Sequence, residues 1–488
     1  MYRCKNCYHG VDEDNLNSIF QCPVCGVERE MFEEIKSDDP YKGVPIDINN
    51  QAINRIDEKC INCGRCAFIC QNVTGIKYDY EKQRHPICIH CGACIQNCPT
   101  GAIVPKYSYN KVLEMINDPN KIVVVSTSPA VRVALGEEFK MEYGTFVEGK
   151  MVTALKELGF DYVLDTTFGA DLTTMEEATE LLERVKNNQQ LPQFSSCCPS
   201  WVKYLEIYHP EYLNNLSTCK SPIGMQGSIV KTYFAEQKNL QPQNIIHVAL
   251  TPCTSKKFEI SRDELNSSSV QNQCEGLRDT DYVITTSELG LMLREKHIDL
   301  KNLKSTEFDQ LLNKGSQGGM LFGQSSGVTT SVIRTLYYLI TKEELTEPLI
   351  FKDTEIDHLK ELQIKIGEYD FKIAVIEGML TAEKILPKLN SYHFIEVMNC
   401  QGGCVGGAGQ PLTPINKYEQ AVSERKNSLI NNSNEDIINA SYQNPDICRI
   451  YEEFLIRPNS KLSKKLLHTT YKNRNYLLVN SDIEVKIN

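Results

Sequence analysis

The feature that most constrains this chain is a pair of cysteine runs, Cys60-x2-Cys63-x2-Cys66-x3-Cys70 and Cys88-x2-Cys91-x2-Cys94-x3-Cys98, the second followed by Pro99. Residues 50–107, which contain them, carry little apolar material, so bound metal must supply much of their core. A CxxCxxC loop wraps three corners of an iron-sulfur cubane, and the fourth cysteine of each run reaches the other cluster. Cys60, Cys63, Cys66 and Cys98 are therefore expected on one 4Fe-4S cluster, and Cys88, Cys91, Cys94 and Cys70 on a second. Two zinc sites would explain neither the third cysteine at x2 nor the fourth at x3. The first run lacks the usual proline after its last cysteine.

Cysteine is abundant throughout, 20 residues among 488, and most of it falls in CxxC clusters, the pattern of metal ligation rather than of a secreted disulfide framework. The start, MYRCKNC, has no apolar stretch behind a basic end, and no run of about 20 apolar residues follows, so a cytoplasmic location is expected. A net charge of -11 gives no basic footprint for nucleic acid or an anionic membrane. The length predicts about three domains. With 41% hydrophobic and 24% charged residues, the bulk of the chain can build an ordinary globular core.

Residues 1–36 form the first unit, with the pairs Cys4/Cys7 and Cys22/Cys25 ahead of EREMFEEI. Four thiolates on two knuckles make a tetrahedral site that suits one iron or one zinc. Residues 37–49, within KSDDPYKGVPIDINN, read as a linker. From 112 to 425 the runs KIVVVSTS, NIIHVALT, YVITTS, FKIAVIE and HFIEVM alternate with helical patterns, the signature of an α/β domain. Residues 426–488 read as an extension packed on that domain. In it ERKNSLINNSNEDIINASYQN looks polar and loop-like, two short amphipathic segments follow, and the last dozen residues look β-prone.

Three cysteine segments lie far apart in the large domain: SSCCPSW (195–201), TPCTSKKFE (251–259) and EVMNCQGGCVGGAGQP (396–411). A fold that joins them supplies the four thiolates of another cubane, and the glycines of the last segment let backbone approach something bulky. These segments resemble the three signature motifs of iron-only (FeFe) hydrogenases. The middle block similarly resembles a two-cluster bacterial ferredoxin, and residues 1–36 resemble the short rubredoxin attached to rubrerythrin-type proteins. The resemblance implies an α/β catalytic domain with two β-sheet lobes flanked by helices. It implies that Cys198, Cys253, Cys400 and Cys404 bind a cubane, with Cys404 bridging to a two-iron subsite that carries CO, cyanide and an azadithiolate.

The same resemblance leaves Cys197 unligated as a proton donor and acceptor, with Glu177, Ser217, Glu180 and Arg184 relaying protons to solvent. Read from residues alone, Met175, Ala178, Leu182 and Val185 form the buried stripe of a helix, and Glu177, Glu180 and Arg184 form its solvated face. Lys256 is expected on a cyanide, and Met398, Phe322, Ser128 and Pro129 around the pocket. Cys219, Cys274 and Cys448 fit no motif and read as isolated thiols, and Trp201 as packing. Three positions depart from the family pattern: Thr251 stands for a usual Met, Ser128 for a small apolar residue, and QSSG at 324–327 for ATGG. Reversible hydrogen chemistry is the activity implied. Its expected partners are a soluble electron carrier, either ferredoxin or a rubredoxin-linked acceptor, and dedicated maturases. A slow hydrogen sensor and a Narf-like iron-sulfur assembly protein are the alternatives.

Overall fold

A computed structural model describes residues 1–36, 42–77, 87–312, 315–433 and 438–478. The β-rich runs of the large domain build two sheets, as expected for an α/β domain. The first is wholly parallel, in the order Tyr282–Thr285, Ile245–Thr251, Ile122–Thr127, Tyr162–Asp165. Its strands are nearly continuous apolar runs because helices cover both faces, and Val123, Val124, Val125, Val248 and Leu250 are buried. The second sheet is mixed, in the order Lys352–Asp353, Leu359–Ile366, Tyr369–Glu377, Phe394–Met398, Gln193–Phe194. Its last three strands are parallel to one another.

Parallel strands deliver loops at their carboxyl ends, and the three cysteine segments leave there. Cys253 follows the strand that ends at Thr251, Cys400 the one that ends at Met398, and Cys197 and Cys198 the short strand Gln193–Phe194. Segments separated by some two hundred residues of sequence are thus brought to one place by two sheets.

Residues 53–55 and 103–105 pair as antiparallel strands around the helices Arg65–Asn72 and Ala93–Gln96. The first unit is a three-stranded antiparallel sheet with Tyr2–Cys4 between Gly10–Val11 and Phe32–Glu34, and its core is mainly Cys4, Cys7 and Cys22. Residues 37–41 of the expected linker lie outside the described residues.

Two sequence readings need correction. Residues 424–433 of the polar stretch are not a loop: the helix Tyr418–Ser433 covers them and crosses the expected boundary at 425/426, whereas 438–440 are irregular as expected and 434–437 lie outside the described residues. Tertiary contacts override the helix's weak amphipathicity, because Ala421, Val422 and Leu429 are buried and Arg425 pairs with Glu137 at 2.6 Å. At the far end, Leu477 and Leu478 sit in the 3-10 turn Asn475–Leu478, and the rest of the β-prone last dozen, 479–488, lies outside the described residues. In the Thr167–Asn187 helix, Glu177, Glu180 and Arg184 are buried while Met175, Leu182 and Val185 are half-exposed, so the face read as solvated points inward.

The two amphipathic segments become Pro445–Ile450, continued by a π-turn Tyr451–Leu455, and Lys461–Leu467. Ile447, Ile450, Leu455, Leu466 and Leu467 enter one core with Phe168, Leu172, Met225 and Ile229. No helix among the described residues is long and apolar enough to cross a membrane.

Candidate active site

Cys198, Cys253, Cys400 and Cys404 lie within electrostatic reach of one another in a buried site. Burial and the neighbouring sulfurs push Cys253 up to about 11, Cys404 to about 12 and Cys400 well above the ordinary thiol range. Four such sulfurs become thiolates together only around strong positive charge, so the donor set fits an iron-sulfur cluster. Cys404 is held by a turn that no side chain could make. Gly403 has φ +90°, and a Cβ there would lie 2.4 Å from the Ser325 amide nitrogen.

Cys197, Phe322 and Met398 belong to one buried apolar cluster. Burial, Glu177 and Cys404 push the Cys197 thiol well above its ordinary range, so it stands protonated. Lys256 donates to the Cys197 carbonyl at 2.9 Å and to Glu259 at 2.7 Å, and Ser221 also donates to Glu259. Glu259 closes the second cysteine motif, and the sequence alone assigns it no role. Its place three residues after Lys256 is the signal that could have found it. The Thr251 hydroxyl is turned to the backbone of Cys253: Oγ1 donates to the Cys253 carbonyl at 3.1 Å and accepts from the Cys253 amide at 3.3 Å. Pro129 is buried, and the amide of Ser128 donates to the Leu250 carbonyl at 2.9 Å, which ties that loop to the same strand.

On the Thr167–Asn187 helix, both carboxyl oxygens of Glu177 are buried without a hydrogen-bond partner, and burial with the charge of Glu180 raises Glu177 well above the carboxylate range. Glu180 is shifted the other way. Burial opposes its charge, but Arg184, Ser217 and His468 prevail and hold it below the usual range. Ser217 Oγ donates to Glu180 at 2.7 Å, and Arg184 Nη2 donates to the other carboxylate oxygen at 2.7 Å. The structure thus gathers Cys197, Glu177, Ser217, Glu180 and Arg184 in one region. It also places Cys219, read as isolated, beside them, with its sulfur 3.7 Å from Glu180.

Twelve of the other cysteines fall into three groups. Cys63 lies near Cys66, Cys98 and Cys60, and Cys94 near Cys91, Cys88 and Cys70. Cys4, Cys7, Cys22 and Cys25 have all four sulfurs within 4.8 Å of one another. Edges of 3.7 Å for Cys4–Cys25 and 3.6 Å for Cys7–Cys22 match the roughly 3.8 Å between thiolates around one tetrahedral ion. Thr254 Oγ1 donates to the His90 carbonyl and Ser255 Oγ to the Ile89 carbonyl, both at 2.9 Å, so the Cys88 loop is fastened to the Cys253 loop. At the other end, Arg65 Nη1 donates to the Cys7 carbonyl at 2.6 Å, and a Cβ on Gly10 would lie 3.1 Å from Cys63 Cβ.

Residues 121–408 match the family described as iron only hydrogenase large subunit, C-terminal domain, and residues 419–474 the iron hydrogenase small subunit. The chain belongs to the iron-only hydrogenase family. It is 37% identical to the NADP-reducing hydrogenase subunit HndD of Solidesulfovibrio fructosivorans over 90% of this chain and 78% of that protein. It is 35% identical to iron hydrogenase 1 of Clostridium pasteurianum over 93% and 83%. A solved FeFe-hydrogenase HydA1 variant of Chlamydomonas reinhardtii superposes with a TM-score of 0.67 at 33% identity, covering 75% of this chain and 98% of that one. The cytosolic iron-sulfur assembly component 3 of Bos taurus is also similar, 30% identical over 79% of this chain and 82% of that protein.

Within this hydrogenase family member, the segment read as an extension at 426–488 largely coincides with the small-subunit match. The buried polar residues it brings, Tyr451, Ser463 and His468, all bond to Glu176, a fully buried carboxylate one residue before Glu177. Sequence reasoning missed Glu176 and His468 because nothing local distinguishes them from solvated residues.

Proposed function

We propose that this chain catalyses the reversible reaction 2H+ + 2e- to H2. The observation that carries it is Cys197, a thiol outside the four-cysteine sets, packed with Phe322 and Met398 beside the four site cysteines and near the buried Glu177 carboxyl, whose oxygens have no hydrogen-bond partner. Cys198, Cys253, Cys400 and Cys404 would hold the cubane, Cys404 would bridge to the two-iron subsite, and Lys256 with the Phe322, Met398, Thr251, Ser128 and Pro129 surroundings would orient its diatomic ligands. When bound, that group supplies the redox chemistry of hydrogen. The chain's own part is to keep water out of an apolar pocket and to move protons through Cys197, Glu177, Ser217 and Glu180.

Electrons would travel through the two ferredoxin-like clusters, Cys88/Cys91/Cys94/Cys70 nearest the site and Cys60/Cys63/Cys66/Cys98 beyond, to the Cys4/Cys7/Cys22/Cys25 site. Iron there, rather than zinc, would make a terminal of higher potential, which favours H2 uptake toward a rubredoxin-linked acceptor over exchange with ferredoxin. Cysteines gathered in CxxC clusters rather than in a disulfide framework support a cytoplasmic setting.

The decisive experiment is infrared spectroscopy with H2 assays on maturated protein. Bands of bound CO and cyanide with turnover are expected, and Cys197→Ala should abolish turnover with the bands retained. The similarity to an iron-sulfur assembly component favours a second reading, a protein that carries clusters without hydrogen chemistry. Absence of those bands after maturation would select it.

A further inference from the structure

We infer that His468, on the small-subunit-like arm, is the residue that passes protons between the relay and solvent. This rests on the proton-relay reading above. Arg184 closes the relay's outer end but cannot carry a proton onward. Its guanidinium donates to the carbonyls of Gln190, Asn214, Asn215 and Leu216 at 2.8–3.3 Å, besides Glu180. A guanidinium does not deprotonate in proteins, so Arg184 positions Glu180.

Glu180 has another neighbour that can act. Thr218 Oγ1 lies 3.2 Å from Glu180 Oε1 and 2.7 Å from His468 Nδ1. A nitrogen of the His468 ring, the Cys219 sulfur and a Glu180 oxygen all lie within 4.8 Å of one another. The ring is built in. His468 pairs through its backbone with Cys219, and the flanking Thr469 amide donates to the Thr218 carbonyl at 2.7 Å. Its Nε2 bonds to Glu176 at 3.1 Å, a carboxylate that also accepts from Tyr451, Ser463 and the Asn459 amide at 2.6–2.7 Å. An open cavity of about 520 Å3 lies beside the ring, lined by Glu180, Glu183, Arg184, Thr218, Lys464 and His468.

The step balances without a co-reactant. A proton on Glu180 passes to Thr218 Oγ1 while the Thr218 hydroxyl hydrogen passes to His468 Nδ1. One carboxyl O–H is broken, one N–H is formed, and the hydroxyl is restored. The ring, oriented by the Nε2 contact to Glu176, then releases its proton to water in the cavity. Hydrogen evolution uses the same steps in reverse.

The test uses full-length maturated protein with His468→Ala. Turnover should fall at least tenfold with the infrared bands unchanged, and added imidazole, which the cavity can admit, should restore it saturably without affecting wild type. Unchanged turnover, or a loss that imidazole does not restore, overturns the proposal. A second measurement needs no turnover. The protonated Glu177 carboxyl stretch, assigned with Glu177→Gln, should exchange more slowly on transfer to D2O in His468→Ala than in wild type. Equal exchange rates overturn the proposal whatever the turnover. Slower exchange in His468→Ala than in wild type, with wild type itself showing no H2 turnover, would uphold it and sink the hydrogenase reading instead.

Discussion

Two carboxylates three residues apart on one helix are driven in opposite directions. Glu180 is held ionised by Arg184, whereas Glu177 has no partner and is raised well above the carboxylate range. Such a split is what a proton relay needs, one site that offers and one that accepts. It also has a thermodynamic sign. The folded state keeps the Glu177 proton to a higher pH than the unfolded chain does, so this group lowers stability as pH rises from the ordinary carboxylate range toward its folded pKa. Glu177→Gln should therefore melt above wild type at pH 8 and level with it at pH 4, while turnover falls by about 10²–10⁴-fold, the usual worth of general acid-base groups. A melting advantage that persists unchanged at pH 4 would show that Glu177 is not protonated by its surroundings.

At the scale of elements, the strands of both sheets were legible because β-branched runs between turn residues have few other readings, and the cysteine motifs announced the loops that leave them. Helix faces were less so. Periodicity chose Met175, Leu182 and Val185 over Glu177, Glu180 and Arg184, and only the resemblance argued otherwise, because a buried polar face looks in sequence like a solvated one. The Tyr418–Ser433 helix was illegible for the same reason, since its anchor is Arg425, bound to Glu137 and to the Val405 carbonyl at 3.1 Å. Arg425→Ala, which strands a buried carboxylate, should cost about 3–5 kcal/mol in chemical denaturation. Gly403→Ala should cost the site its cluster, read as iron bound per chain, because the Ser325 backbone cannot yield to the added methyl.

At the scale of the molecule, the carboxyl ends of two sheets meet at one site and a file of cysteine groups runs away from it to the N-terminus. Arg65 spans the last gap, its side chain on the Cys7 carbonyl and its amide on the Cys63 sulfur. If the Cys4 and Cys63 groups hold iron centres as proposed, a cation between them favours their reduced forms, so Arg65→Ala should lower both midpoint potentials in a redox titration followed by electron paramagnetic resonance. If only one moves, the two sites are not joined there. Stripping metal from the Cys4 site should unfold residues 1–36, whose core is its ligands, and expose them to protease while the CO and cyanide bands persist.

The arm that grips Glu176 does so with Tyr451, Asn459, Ser463 and His468, and none of these contacts depends on the peptide link that joins the arm to the rest. The chain should therefore tolerate being severed. Expressed as two polypeptides divided near residue 414, it should reassemble into a noncovalent heterodimer, so that covalent continuity is a convenience of stoichiometry rather than a requirement of architecture.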